Sequence, residues 1–150
     1  MDPEQIFSLA SALAFLGWVV MLASPWFPRA VDIVSGYVLP ALLSLAYLVV
    51  LMVYWGTGSG GGFGSLADVA QLFSTPQVLL AGWIHYLAFD LFVGGWELRV
   101  ARREGIAFLL VIPCLVATFL IGPVGLLLFL ALRLATGRTQ LPFASQGATA

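Results

Sequence analysis

The stretch that decides the fold is residues 33–55, IVSGYVLPALLSLAYLVVLMVYW, which carries no charged side chain. A helix needs about 20 apolar residues to cross the hydrocarbon core of a bilayer. This run is long enough, and Tyr54 and Trp55 at its end are typical of the headgroup level. We therefore expect a transmembrane helix, in which Pro40 is tolerated because neighbouring groups re-satisfy the freed backbone carbonyl.

Three further apolar runs have the length of a membrane span, at roughly 5–24, 76–98 and 106–134. Together the four runs predict an all-α integral membrane protein built as a four-helix bundle. The membrane domain is expected to cover 1–138, followed by a flexible polar tail at 139–150.

Composition agrees with this fold class. The chain is 61% hydrophobic and only 9% charged, with a mean hydropathy of +1.05, whereas a soluble domain has about a quarter of its residues charged. A net charge of -1 without a basic stripe argues against nucleic acid as a partner and leaves membrane lipid as the expected one. Cys114 is the only cysteine, so no intramolecular disulfide can form.

The connection between the second and third runs has two parts. Residues 56–64 are rich in glycine and uncharged, which predicts a plain linker. A phosphate-binding loop would need a lysine and a following Ser or Thr, and both are missing here. Residues 65–73 carry apolar side chains at the helical period, and Ser65 is placed to cap their first turn. A short helix at the membrane surface is expected there.

The fourth run is longer than a straight crossing requires, so we expect Pro113 and Pro123 to bend it.

Sidedness follows from the arginines, since lysine is absent from the chain. The loop after the third run carries Arg99, Arg102 and Arg103, so loops one and three are expected to face the cytoplasm. Four crossings would then leave both termini outside, although Arg133 and Arg138 favour the opposite side for the end of the chain. A bacterial inner (cytoplasmic) membrane is the expected location.

Candidate catalytic residues lie in the third run, at His85, Asp90 and Glu97. A carboxylate in hydrocarbon costs about 2.5 to 3.5 kcal/mol by insertion scales, so Asp90 should face the protein interior. On a helix Tyr86, Asp90 and Glu97 share one stripe, while His85 lies about 140° away from Asp90. His85 instead shares its face with Phe89, Phe92 and Trp96. Each of these residues has a structural alternative: His85 and Asp90 as hydrogen-bonding links between helices, and Glu97 as part of an interfacial salt bridge.

Other residues of the third and fourth runs suit an apolar ligand. Aromatic side chains offer flat walls, and glycines allow a flat molecule or another helix to approach closely. The candidate substrate-binding residues are Tyr86, Phe89, Gly94, Trp96 and Gly122.

No metal site is predicted, because one histidine and a few carboxylates do not resemble a known metal-binding motif. If a metal is bound, its ligands would be His85, Asp90 and Glu97. Cys114 in an apolar helix is expected to be an inert packing thiol.

Residues 85–94, HYLAFDLFVG, followed by residues 122–128, GPVGLLL, and by Arg133 resemble the ABA4-like family. That family is named for the plant abscisic-acid-deficient 4 protein, which is linked to neoxanthin synthesis. The resemblance implies a four-span membrane protein that acts on a carotenoid, and it makes His85 and Asp90 the preferred site residues.

The leading functional hypothesis is an enzyme that opens an epoxide or isomerises a carotenoid or related isoprenoid, without a cofactor. A neutral Asp90 would protonate the epoxide oxygen and His85 would remove a carbon-bound proton. One alternative is oxidative cleavage, which would require iron. A second is a non-catalytic carotenoid-binding protein or an assembly partner of another enzyme. A transporter or channel remains a further alternative, which would require a homo-oligomer.

Overall fold

The computed structural model describes residues 2–54, 56 and 60–137, and every regular element within these ranges is helical. The helices are α1 (Pro3–Met21), α2 (Pro28–Tyr54), α3 (Leu66–Phe73), α4 (Pro76–Glu104), α5 (Phe108–Ile121) and α6 (Pro123–Ala135). The polar tail predicted at 139–150 lies outside the described residues.

Three of these helices, α1, α2 and α4, are long and apolar enough to cross a membrane. They correspond to the first three predicted runs. The fourth run, predicted at 106–134, forms α5 and α6 instead of one long helix, so the structure does not confirm a four-span bundle.

Prolines mark the beginnings of four helices, at Pro3, Pro28, Pro76 and Pro123. The first turn of a helix does not use its N–H groups within the helix, and the fixed backbone angle of proline suits this position. The same residue type that stops a helix in its interior therefore starts one here.

The chain divides into two compact units, Met1–Phe92 and Val93–Ala150. In the first unit, α1 packs closely on α2 and on the first part of α4. A Cβ atom added to Gly17 would lie 2.8 Å from a methyl group of Leu91 and 3.0 Å from one of Leu39. The indole of Trp83 also donates a hydrogen bond of 3.0 Å to the hydroxyl of Ser11.

Helix α2 contains a π-helical turn at Val34–Val38, just before Pro40. Such local widening accommodates a proline inside a membrane helix. The turn also presents Ser35, which is fully buried and donates a hydrogen bond of 2.9 Å to the carbonyl of Gly17. Pro40 is thus accommodated inside α2, as predicted, and the π-helical turn before it adds a hydrogen bond between α1 and α2.

In the second unit, α5 and α6 form a helical hairpin that turns at Gly122, whose φ is +41°. The two helices pack so closely that a Cβ atom on Gly125 would lie 2.0 Å from the backbone nitrogen of Thr118. Only glycine fits at position 125. Helix α5 continues past Pro113. The chain changes direction at Gly122, directly before Pro123.

Three contacts give the directions of the hairpin helices along the end of α4. Thr118 of α5 reaches Glu97, Phe129 of α6 lies 5.6 Å from Trp96 between ring centroids, and Arg133 of α6 pairs with Glu104. Helix α5 therefore runs back along the end of α4, and α6 returns in the direction of α4.

Helix α3 begins as predicted, since the hydroxyl of Ser65 accepts a hydrogen bond of 3.1 Å from the backbone N–H of Asp68. None of its residues is buried. The short helix between the second and third runs is confirmed, and its position at the membrane surface stays a prediction.

Candidate functional site

A cavity in the first unit has a volume of about 660 Å³ and is lined by the end of α2, the glycine-rich segment, α3 and the start of α4. We call it the His85 cavity, after the only histidine in the chain. Its size falls within the roughly 300 to 1,000 Å³ of small-molecule sites. The wall is mainly apolar, with a few polar side chains, namely Tyr47, Tyr54, Gln77 and His85.

Two aromatic neighbours hold the imidazole of His85. Its ring stacks on Phe89, with centroids 4.5 Å apart and an interplanar angle of 25°. The ring of Tyr47 in α2 meets it edge to face, with centroids 5.7 Å apart and an interplanar angle of 61°. This arrangement fixes the plane of the imidazole at the cavity wall, and it confirms the predicted shared face of His85 and Phe89.

Asp90 has a different environment. The hydroxyl of Tyr86, one turn earlier in α4, is hydrogen-bonded to its carboxylate, as their predicted common stripe implied. The second oxygen, Oδ2, is buried and has no hydrogen-bond partner among residues 2–54, 56 and 60–137. A buried carboxyl oxygen without a hydrogen-bond partner is costly in free energy.

His85 and Asp90 do not face the same cavity. Asp90 is absent from the wall of the His85 cavity, and its partner Tyr86 lines a second hollow of about 580 Å³ between the starts of α1 and α4. We call this hollow the Tyr86 groove; its other walls include Phe7, Leu79 and Trp83. The predicted pairing of Asp90 as the acid with His85 as the base on one substrate molecule is therefore not supported by a shared cavity.

Glu97 belongs to the second unit and is fully buried. Its Oε1 accepts a hydrogen bond of 2.9 Å from the hydroxyl of Thr118, and the thiol of Cys114 is close enough to interact electrostatically with it. Cys114 is itself buried and directs its thiol to the carbonyl of Leu110 at 3.9 Å. These contacts place Glu97 as a polar anchor of the α5–α6 hairpin.

The remaining predicted ligand-binding residues lie outside the His85 cavity wall. Phe89 supports His85 from behind, and Gly94 is buried within α4. Trp96 contacts Phe129 and lies 6.0 Å below the guanidinium of Arg133. Gly122 makes the turn of the hairpin. Of these residues, Gly94, Trp96 and Gly122 have packing roles in the structure.

Sequence reasoning missed most of the cavity wall. The glycines at 60–62 and Phe73 line it, although the first were interpreted as a linker and the second as part of a surface helix. Gln77 was the one available signal, because an uncharged polar side chain in the first turn of an apolar helix invites a partner or a ligand. Tyr47 gave no signal beyond its aromatic ring.

No group of three or more His, Cys, Asp or Glu side chains converges in the part of the chain that the structure describes. The predicted trio His85, Asp90 and Glu97 is therefore not brought together as a set of metal ligands. The donor set for the iron-dependent alternative has no support in this geometry.

Comparison with curated proteins and with solved structures returns no match. The family model described as ABA DEFICIENT 4-like matches residues 5–129, which is most of the chain and includes the wall of the His85 cavity. The matched segment also contains His85, Asp90 and Glu97, so the resemblance seen in the third and fourth apolar runs extends through nearly all of the helical chain. On this match the protein belongs to the ABA4-like family.

Proposed function

We propose that this protein binds a carotenoid or related isoprenoid by its cyclic end group in the His85 cavity, and chemically modifies it there. The observation that carries the proposal is the His85 cavity itself, which combines an apolar wall with one imidazole held between two aromatic rings. Such a site suits a ligand that is mainly hydrocarbon and has one polar or reactive end. Family membership supports the same class of ligand.

The chemistry that fits the cavity is acid–base isomerisation, of the epoxide-opening type. In that reaction a base removes a proton from carbon, and the electrons of the C–H bond form a new π bond. The C–O bond of the epoxide breaks and its oxygen takes up a proton, so the product is an isomer of the substrate. His85 is the base at the wall, and the acid is the phenol of Tyr47, which also lines the cavity and whose ring contacts His85. A positioned base and acid together suffice for such a reaction.

In this proposal Asp90 does not contact the ligand in the His85 cavity. Its carboxyl group is hydrogen-bonded to Tyr86 and lies outside the His85 cavity wall. Asp90 is therefore a positioning residue, which orients the side chain of Tyr86 in the Tyr86 groove. That assignment replaces the direct role as acid that the sequence suggested.

A non-catalytic carotenoid-binding protein is the second candidate. The observation that favours it is the same separation of Asp90 from His85, because binding needs an aromatic wall but no pair of acid and base. The two candidates differ in whether the bound pigment leaves unchanged.

We further propose that the protein is integral to a bacterial cytoplasmic membrane, with α1, α2 and α4 as crossings, α5 and α6 as a fourth embedded segment, and α3 at the surface. Large apolar side chains are exposed along all of these helices, for example Phe15, Leu45, Phe89, Leu120 and Leu134. Lipid is the natural partner for such surfaces. The arginines near loops one and three support a cytoplasmic position for these loops.

The experiment is pigment analysis of carotenoid-producing bacteria that express the wild-type protein, His85→Ala or an empty vector. Leu48→Ala is the matched control, since Leu48 is exposed on α2 and lies outside the cavity wall. We expect wild type and Leu48→Ala to change the extracted pigments, and His85→Ala to resemble the vector. If wild type neither changes nor retains any pigment, the proposal is wrong. If it retains pigment that stays intact, the non-catalytic candidate replaces it.

A further inference from the structure

Gly82 lines both the His85 cavity and the Tyr86 groove. It lies one helical turn before His85 and Tyr86, at an angle between the two. A glycine at this place leaves the backbone of α4 bare where the two hollows meet. The hollows therefore adjoin on one helix surface.

The ring of Phe73 rests on this bare backbone. A Cβ atom added to Gly82 would lie 2.5 Å from Cε1 of Phe73 and 3.4 Å from its Cζ. Phe73 is the last residue of α3 and also lines the His85 cavity. Its ring thus stands where the cavity approaches the groove.

Helix α3 is well suited to carry a movable ring. It has eight residues, none of them buried, and Phe73 itself keeps 39% of its surface exposed. Segments with few buried apolar contacts open at low cost in free energy. Displacing Phe73 costs far less than displacing a side chain of the helix core.

The proposed ligand is too long for the His85 cavity alone. A C40 polyene is about as long as the hydrocarbon core is thick, about 30 Å, and a cavity of about 660 Å³ encloses only an end group with a short part of the chain. The rest must leave the cavity along an apolar path. The Tyr86 groove, walled by Phe7, Leu79 and Trp83, is such a path.

We propose that the His85 cavity and the Tyr86 groove form one elongated binding site, which a rod-shaped polyene occupies by crossing over Gly82 after the ring of Phe73 has moved aside. The inference rests on the proposed function for its ligand class. It assigns two new roles: Gly82 keeps the crossing open, and Phe73 closes it in the absence of ligand.

Two ligands and two substitutions test this proposal in lipid nanodiscs. The ligands are tritiated zeaxanthin, a C40 polyene with a hydroxylated ring at each end, and tritiated 3-hydroxy-β-ionone, a C13 ketone with one such ring. The partition of each ligand between protein-containing and empty nanodiscs measures binding. The substitutions are Gly82→Val, which fills the crossing, and Phe73→Ala, which removes the ring; Leu66→Ala is the control on α3, because Leu66 lines neither hollow.

We expect Gly82→Val to weaken zeaxanthin binding at least tenfold and to change binding of the C13 ketone less than twofold. Phe73→Ala should strengthen zeaxanthin binding severalfold, while Leu66→Ala changes neither ligand. Because zeaxanthin binding is expected to rise in Phe73→Ala, a folding defect in Gly82→Val cannot produce the whole pattern. Gly82→Ala serves as a second, smaller substitution at the same position.

The outcomes separate the two proposals. If wild type enriches neither ligand, the proposed function fails. If it binds the ketone but not zeaxanthin, or if the substitutions change both ligands equally or neither, the elongated site is overturned while carotenoid end-group binding stands.

The α5–α6 hairpin carries an independent inference about topology. Helices α5 and α6 have 14 and 13 residues, or about 21 Å and 20 Å of rise, which is short of the roughly 30 Å of a hydrocarbon core. The open end of the hairpin lies at the end of α4, where Arg133 pairs with Glu104. We infer that the hairpin enters and leaves the membrane on the same face, so that the chain crosses three times.

Charge supports this topology. Three crossings would put on one face Arg29 in the first turn of α2, the arginines at the end of α4 and Arg133, and would put Asp68 on the other. One-sided arginines are the pattern that membrane insertion favours. The conflict raised by Arg133 under four crossings is thereby removed.

Single cysteines test the inference in a Cys114→Ser background, which removes the only native thiol. The probes are Phe63→Cys between α2 and α3, Ala107→Cys between α4 and α5, and Thr136→Cys after α6. A membrane-impermeant maleimide should label position 63 in intact cells, and positions 107 and 136 only in inside-out vesicles. A re-entrant hairpin requires 136 to share the side of 107, whichever side that is; labelling of 136 together with 63 would overturn it.

Discussion

The hydroxyl of Thr118 donates a hydrogen bond of 2.9 Å to Oε1 of Glu97, and neither residue has any exposed surface. A carboxyl group buried in an apolar helix pair must be hydrogen-bonded, since leaving its oxygens unsatisfied costs free energy. The α5–α6 hairpin supplies one such donor. Glu97 therefore ties α5 to the end of α4.

Replacing Thr118 by valine removes this donor while keeping the shape of the side chain. We expect the free energy of unfolding to fall by about 1 to 3 kcal/mol, the usual cost of removing one partner from a buried polar group. Reversible unfolding in mixed micelles of dodecyl maltoside and SDS measures the change. Thr136→Val is the control, because within the described part of the chain the hydroxyl of Thr136 bonds to carbonyls of its own helix, those of Leu132 and Arg133. Equal stability of Thr118→Val and wild type would contradict the anchoring role.

Gly125 tests the packing of the hairpin itself. In Gly125→Ala the new Cβ would lie 2.0 Å from the backbone nitrogen of Thr118, so α5 and α6 must separate. Overpacking of this kind costs about 1 to 3 kcal/mol or more. We expect a loss of at least that size in the same unfolding assay, whereas Gly62→Ala, where an added Cβ meets nothing within 4 Å, should be nearly neutral. A neutral Gly125→Ala would mean that the two helices are not in close contact.

The sequence predicts the elements of this protein better than their arrangement. Apolar runs of sufficient length identified α1, α2 and α4, and Ser65 identified the start of α3, because these features depend on residues close together in the chain. The shared face of His85 and Phe89 followed in the same way from helical geometry.

The hairpin and the His85 cavity depend on contacts between distant residues. A run such as 106–134 predicts either a bent span or two short helices, and the choice is made by the close approach of Gly125 to Thr118 and the positive φ of Gly122. The cavity likewise needs Phe73 and residues 60–62 to meet α4. No local pattern encodes either contact.

The ion pair between Glu104 and Arg133 closes the open end of the hairpin. Arg133 donates from Nε to Oε2 of Glu104 at 2.9 Å and from a second nitrogen to Oε1. Their side chains are only 9% and 17% exposed, so this pair should exceed the 0.2 to 1 kcal/mol typical of exposed pairs. We expect a coupling energy of about 1 to 3 kcal/mol in a double-mutant cycle of Glu104→Gln and Arg133→Met.

Salt provides the control for that cycle. A mostly buried bidentate pair is screened much less than an exposed one, so the coupling energy should change little between 0.1 M and 1 M sodium chloride. A coupling energy that disappears at high salt would identify a surface pair without a role in closing the hairpin.

Replacing His85 by phenylalanine separates catalysis from binding. Phenylalanine keeps a flat ring that can stack on Phe89 and meet the edge of Tyr47, as the imidazole does, but it has no nitrogen to accept a proton. A positioned general base contributes about 10² to 10⁴ in rate. We therefore expect His85→Phe to retain bound pigment near the wild-type level while pigment conversion falls by a factor in that range, and His85→Ala to lose both. Pigment bound to the purified protein and pigment extracted from whole cells are measured in parallel by chromatography. Wild-type conversion in His85→Phe would show that a group other than His85 takes the proton.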